Sequence, residues 1–260
     1  MATSPTTTTG NRAAGRRPVL DRAVAMRLAA EEYQRVVDQL RSLTAQDWSR
    51  PTACPGWDVR ALAAHMLGMA EMAASLREQI RQNRKATRAG GVFIDALTGL
   101  QVTERAHLTA AQIVDRFAEV GPRAARGRRR APALVRRRTM PALQPVGGKP
   151  DSRQEAWTFG YLIDVILTRD PWLHRSDIAE ATGAALVMTA EHDGVLVDDV
   201  VKEWATRHGQ PCSLVLTGPA GGSWSFGPGR PTLEADAVQF CRGLSGRGQT
   251  EGLLATEVPF

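Results

Sequence analysis

Asp58-Val-Arg-Ala-Leu-Ala-Ala-His-Met-Leu-Gly-Met-Ala-Glu-Met72 is the stretch on which the fold turns. Leu62, His65, Met69 and Met72 recur in steps of three and four, which at helical pitch places them on one face. Asp58 stands where a helix start needs a side-chain acceptor. A histidine therefore interrupts an apolar stripe. Such a residue is either a hydrogen-bonded member of the core or a metal ligand, and one helix does not separate the two.

Working outward, the same periodicity appears upstream. From Asp21 to Leu43 the apolar positions Met26, Ala30, Tyr33, Val37, Leu40 and Leu43 predict a helix of about six turns. Thr44-Ala-Gln-Asp47 has capping-box spacing, and Pro51, Pro55 and Gly56 turn the chain between Trp48 and Trp57. Residues 1–18 hold almost nothing apolar and are expected to be a disordered leader, with the fold beginning near Leu20. Downstream, a third helix is expected from Thr109 to about Val120, continuing with breaks into an arginine run. Pro141, Pro145, Gly147, Gly148 and Pro150 mark a second turn region. Glu155 to Arg169 then reads as a buried helix through Trp157, Tyr161, Ile163, Val165, Ile166 and Leu167. Four long helices make an antiparallel bundle over residues 19–185 the economical arrangement.

Beyond Gly183 the texture changes. Ala190 to His208 is still helical, but Ser213–Thr217 and Ser223–Phe226 are strand-like runs joined by Gly218-Pro-Ala-Gly-Gly222, a hairpin signal. Pro231 to Glu234 suggests a third strand and Ala235 to Leu244 a last helix. Residues 186–260 are thus expected to form a small α+β domain.

Composition narrows the function classes. The chain has 260 residues, 33 Lys+Arg against 27 Asp+Glu, a formal charge of +6, 43% hydrophobic and 23% charged residues. These are ordinary globular values, and no apolar run nears the roughly 18 residues of a membrane span. The N-terminus has no apolar h-region, so a cytoplasmic location is expected. Cys54, Cys212 and Cys241 are too few and too scattered for a disulfide framework or a Cys-x-x-Cys knuckle; Cys54, in the turn, is expected to pack. Eight arginines lie between Pro122 and Arg138 with no acid among them, leaving −2 for the rest of the chain. The run lacks aromatic interleaving and any helix-turn-helix or zinc-finger spacing, so it is expected to be a solvated helix end or loop, with nucleic-acid binding as the alternative. No Gly-x-Gly-x-x-Gly or Walker loop is present, and Trp48, Trp57, Trp157 and Trp172 are expected to fill the bundle core and its ends.

Of five histidines, two have suggestive company. His174 follows Asp170 by four residues, which points both side chains to one side of a helix, and His65 lies on the inner stripe of another. Inward residues of different helices meet in a bundle, so His65, Asp170 and His174 are a candidate three-ligand site with a fourth position open. Two imidazoles and a carboxylate suit zinc, other first-row divalent ions being possible. Other readings stay open. Asp170-Pro171 is also what a helix start looks like; if the helix runs through, Pro171 removes a backbone bond at about 3 kcal/mol. His174 beside Arg175 and Asp177 is equally compatible with a polar network.

Asp47-Trp-Ser-Arg-Pro-Thr-Ala-Cys-Pro-Gly-Trp-Asp-Val-Arg60, followed by Ala-Ala-His65-Met-Leu-Gly, resembles the first signature of the mycothiol-dependent maleylpyruvate isomerase family, a branch of the DinB-like four-helix metalloproteins. Arg169-Asp-Pro-Trp-Leu-His-Arg-Ser-Asp-Ile-Ala179 is similar to the second, and the stretch from Asp95 to Arg105 also matches. The resemblance covers most of residues 21–183 and implies a DinB-like bundle with an appended α+β domain. It implies that His65, Asp170 and His174 hold a divalent metal, usually zinc, with no catalytic residue beyond that site. Some members carry Glu where Asp170 stands, and many a small residue where Pro171 stands. It further implies mycothiol as thiol cosubstrate, a metal-bound thiolate attacking a small electrophile in an isomerase or S-transferase reaction, and a basic residue of the second domain, here Arg247, meeting substrate or thiol. A non-catalytic, metal-stabilised bundle that binds a ligand or partner is the alternative. Oligomeric state is not legible.

Overall fold

The computed structural model describes residues 14–147, 152–228 and 232–260. Helix α1 (Arg22–Ser42) starts at Asp21, whose carboxylate accepts the amides of Ala23 and Val24. Met26, Tyr33, Val37 and Leu40 of its stripe are buried and Leu43 is half-buried, while Ala30 faces solvent. At Asp47 the capping expectation holds in part: its carboxylate accepts the Thr44 amide at 2.8 Å. Helix α2 (Val59–Ala74) is capped by Asp58 as read from the sequence.

Two helices follow that the periodicity did not show, α3 (Leu76–Ala89) and α4 (Phe93–Arg105). Their buried positions are Gln82 and Ala86 in α3 and Leu97, Gln101 and Arg105 in α4, so there is scarcely an apolar stripe to read. Together they form a hairpin laid against α2.

Helix α5 (Ala110–Arg130) has the Thr109–Gln112 capping box and continues into the arginine run as expected, but without a break, Pro122 lying inside it. It carries much of the arginine run, which is not simply solvated. Arg128 is buried, and Arg136, in the short helix α6 (Ala133–Arg136), pairs with the buried Asp164. Strands β1 (Gln144–Pro145) and β2 (Gln154–Glu155) then pair antiparallel, so residues expected to open a helix at Glu155 are strand. The helix begins after Thr158, whose hydroxyl caps the Tyr161 amide. It comprises α7 (Phe159–Tyr161), a π-helical turn (Leu162–Ile166) and α8 (Leu167–Thr182), which ends at Gly183 with φ +74°.

Pro171 therefore lies inside a continuous helix, and Asp170 is not its cap. The carbonyl that Pro171 leaves without an amide is that of Leu167, four residues back. Arg128 fills the gap: its Nη1 donates to Leu167 O at 2.9 Å, its Nε to Ile163 O at 2.9 Å and its Nη2 to Thr168 Oγ1 at 2.5 Å. Helices α1, α2, α5 and α8 form the bundle, around Val36, Leu40, Leu62, Leu67, Ile113, Phe117 and Ile178.

The C-terminal region has a π-helical turn (Ala190–Gly194), α9 (Val195–His208), β3 (Cys212–Thr217), β4 (Gly222–Phe226), β5 (Thr232–Asp236) and α10 (Ala237–Leu244). The sheet order is β4-β3-β5, an antiparallel hairpin with β5 parallel on the other side, Leu214 opposite Leu233. Pro231, Gly148 and Pro150 lie outside the described residues, as do residues 1–13 of the expected leader. The rest of that leader is held to the body: the Arg16 amide donates to Ala156 O at 2.7 Å and its carbonyl accepts from the Thr158 amide at 2.9 Å. The described fold thus starts ahead of Leu20. The second apolar core, around Val197, Trp204, Leu214 and Phe240, is completed by Leu28, Trp172 and Leu173 from α1 and α8. It crosses the boundary expected at 185, and Trp172 serves this core rather than that of the bundle. Trp48 is in the bundle core, Trp57 packs against it, and Trp157 joins a small cluster with Tyr161.

Candidate metal centre

Helix α2 supplies His65; one turn of α8 supplies Asp170 and His174. His65 Nε2 is 3.7 Å from Asp170 Oδ2, His174 Nε2 is 3.4 Å from Asp170 Oδ1, and the two rings meet edge-on at 5.5 Å. The three donor atoms lie within 4.8 Å of one another. Ligands about 2.0–2.1 Å from a tetrahedral zinc are separated by about 3.3 Å, so the carboxylate-to-ring spacings match a shared ion better than direct hydrogen bonds.

What turns both Nε2 atoms inward is a partner on each Nδ1. His65 Nδ1 lies 2.8 Å from Gln101 Oε1, and His174 Nδ1 lies 3.0 Å from Asp177 Oδ2. Metal-ligating histidines characteristically have such a second contact. Asp177, with no exposed side chain, is held in turn by Arg242 Nη1 at 2.7 Å and by Arg247 through Nε at 2.7 Å and Nη2 at 2.8 Å. Trp57 packs against the His65 ring at a tilt, the ring centres 5.2 Å apart.

Burial alone would push the Asp170 carboxyl up, but the His174 and His65 imidazoles beside it outweigh that and hold it well below the usual carboxylate range. For His174 burial opposes the charged ring, and Asp170 and Asp177 overcome it, raising the ring well above its ordinary value. An environment that draws a proton onto an imidazole in this way equally draws a cation, which competes with that proton.

His65, Asp170 and His174 line a cavity of about 630 Å³ whose other walls include Met69, Ile94, Leu162, Leu173, Asp95 and Arg247. Cys54 packs against the bundle core, as expected, and also lines this cavity, with Sγ 3.7 Å from Arg247 Nη2 and 3.8 Å from Asp177 Oδ2. Cys54, His174 and Asp177 form a second cluster of donor atoms. Its positive charge is already supplied by Arg247, whose Nη2 is also 3.4 Å from His174 Nδ1.

Each residue proposed from the sequence therefore reaches one site: His65, Asp170 and His174 at its centre and Arg247 on its wall. His192 is engaged elsewhere, its Nε2 2.7 Å from Glu32 in a buried ionic cluster. Gln101 and Gln82 were missed, since no spacing marks a buried glutamine as the partner of a histidine 36 positions away. The part of Asp177 was legible only as the i, i+3 neighbour of His174.

The fold and the site together define a four-helix bundle in which two imidazoles and a carboxylate, a set that could hold a metal ion, converge at an open cavity. The mycothiol maleylpyruvate isomerase N-terminal domain profile matches residues 29–179, more than half the chain, and the chain belongs to that family. Two crystal structures of the mycothiol-dependent maleylpyruvate isomerase share its fold. One, of a histidine-to-alanine mutant, is 16% identical with a TM-score of 0.51, and the other is 17% identical with a TM-score of 0.51; each match covers 88% of this chain and 90% of the other. An uncharacterized protein of Mycobacterium tuberculosis, in strains H37Rv and CDC 1551, is 24% identical over 213 residues, 76% of each chain. None of the described helices is long and apolar enough to cross a membrane.

Proposed function

We propose that this protein is a divalent-metal-dependent enzyme that uses mycothiol to attack a small electrophile, as an isomerase or S-transferase, in the cytoplasm. The observation that carries the proposal is the convergence of His65, Asp170 and His174 on one point in the wall of the cavity. His65, Asp170 and His174 would hold the ion, and their two imidazoles and one carboxylate favour zinc. An ion held there supplies positive charge that stabilises thiolate over thiol, lowering the pKa of a thiol brought to it. Gln101 and Asp177 keep the rings aimed, and the apolar walls at Met69, Ile94, Leu162 and Leu173 would pack against the carbon skeletons of the thiol and the electrophile. Arg247, fixed on Asp177 and Ser245, lines the cavity, where its positive charge would meet an anionic group of either substrate.

Elemental analysis of the purified protein should find about one divalent ion per chain, lost in His65→Ala and His174→Ala. The loaded protein should consume mycothiol with an electrophile, and stop doing so after chelation. Absence of bound metal would sink the proposal. Bound metal without thiol consumption would leave the non-catalytic, ligand-binding alternative.

A further inference from the structure

We infer that Gln101 decides which nitrogen of His65 faces the metal position, and that Gln82 and Gly68 hold Gln101 to that task. Gln101 touches no substrate position and is a positioning residue. The inference deepens the metal reading above and rests on it for its consequence, though not for its geometry.

Both glutamine side chains are fully buried, so their amides have no water to turn toward. The polarity of each follows from its neighbours. Gln82 Nε2 lies 3.2 Å from Gly68 O and 2.9 Å from Glu78 Oε1, two groups that only accept, which fixes its Oε1 on the opposite side. That oxygen accepts from Gln101 Nε2 at 3.0 Å, and the same nitrogen faces the sulfurs of Met69 at 3.1 Å and Met72 at 3.3 Å, which are acceptors as well. Gln101 Oε1 is therefore turned to His65, 2.8 Å from Nδ1. An oxygen without a proton obliges Nδ1 to carry one, and Nε2 keeps its lone pair toward Asp170. Reversing either amide would set like groups against each other in a buried place, the costly case for a polar contact.

Gly68 completes the device. A Cβ there would lie 2.6 Å from Gln101 Cγ and 2.8 Å from Gln101 Cβ, both closer than side chains pack. Glycine is otherwise unfavourable within a helix, so its presence where α4 crosses α2 is explained by the room Gln101 needs.

The test measures zinc affinity by chelator competition and the His65 tautomer by long-range ¹⁵N–¹H spectra of histidine-labelled, metal-free protein at alkaline pH, with His65→Ala for assignment. Gln101→Leu should weaken zinc binding about ten- to hundredfold and replace the single Nδ1–H tautomer of His65 by a mixture. Gln101→Glu, which keeps an accepting oxygen, should retain the single tautomer. Gly68→Ala and Gln82→Leu should move both readouts in the same direction as Gln101→Leu but less, although alanine is the better helix former; they carry the test if Gln101→Leu does not fold. A folded Gln101→Leu protein with wild-type affinity and an unchanged tautomer overturns the inference, as does a mixed tautomer in Gln101→Glu. A wild-type protein that binds no zinc instead defeats the metal reading, while the tautomer still reports on Gln101.

Discussion

The two imidazoles at the centre are held from opposite sides by different chemistry. His174 leans on Asp177, whose charge is met by Arg242 and Arg247 from the C-terminal region. His65 leans on an uncharged pair of amides delivered by the α3–α4 hairpin. A carboxylate partner makes a ring more basic, so at His174 a proton competes with any cation for the ring. An amide fixes direction and adds no charge. The charged side also couples two regions of the molecule, because Asp177 is where α8 and the segment around α10 are joined by ion pairs. Precision comes from the hairpin, and basicity from Asp170 and Asp177 of α8 itself, with the second region supplying the arginines that hold Asp177 in place.

The comparison breaks most sharply at Asp177. Asp177→Ala leaves Arg247 without its carboxylate and Arg242 with that of Glu180 alone, and should destabilise the protein by about 3–5 kcal/mol, which denaturant unfolding would measure. Gln101→Leu, which strands no charge, should cost clearly less; equal losses would erase the distinction between the two sides. Arg247→Lys keeps a charge but loses the forked contact with Asp177, and Arg242 still satisfies one oxygen. A loss of about 1 kcal/mol is expected, with a weaker hold on metal in chelator competition, since the two cations are not interchangeable at such a site. The smallest effect belongs to the outer face of the hairpin. There Arg81, against burial and with help from Lys85, pulls the Glu104 carboxyl down to about 2. A depressed folded value contributes stability above the unfolded value of about 4.3 that is lost as pH falls toward about 2. Being partly exposed, the pair should be screened by salt and worth under about 1 kcal/mol. Hydrogen exchange of α3 and α4 between pH 4.5 and 2.5 should show the hairpin loosening, and Glu104→Gln should flatten that dependence.

How far the sequence could be read follows from what each element buries. Helices α1 and α2 declare themselves because Met26, Tyr33, Val37 and Leu62 are both apolar and inward, with Met69 and Met72 half-buried on the same stripe. The hairpin stayed hidden because three of the five residues it buries, Gln82, Gln101 and Arg105, are polar and leave only Ala86 and Leu97 to mark an apolar face. The passage of α8 through Pro171 was undecidable locally. It depends on Arg128, 39 positions before Leu167, reaching the carbonyl the proline leaves free. For the same reason the arginine run looked uniformly solvated although one of its members is buried. The pairing of Asp170 with His174 was legible from four-residue spacing, and its partner His65 from a polar break in an apolar stripe.

Sequence alone determined the helical bundle and the small α+β region after it, because periodicity is a property of short stretches; spacing offered His65, Asp170 and His174 as one reading among several, and the resemblance to the family's two signatures singled them out. Tertiary structure decided which nitrogen each imidazole turns inward, what charge stands behind it, and that the two apolar cores share α1 and α8. Apart from the i, i+3 contact of His174 with Asp177, those outcomes depend on contacts between residues tens to more than a hundred positions apart. A buried amide or ion pair is defined only once both of its partners are in place.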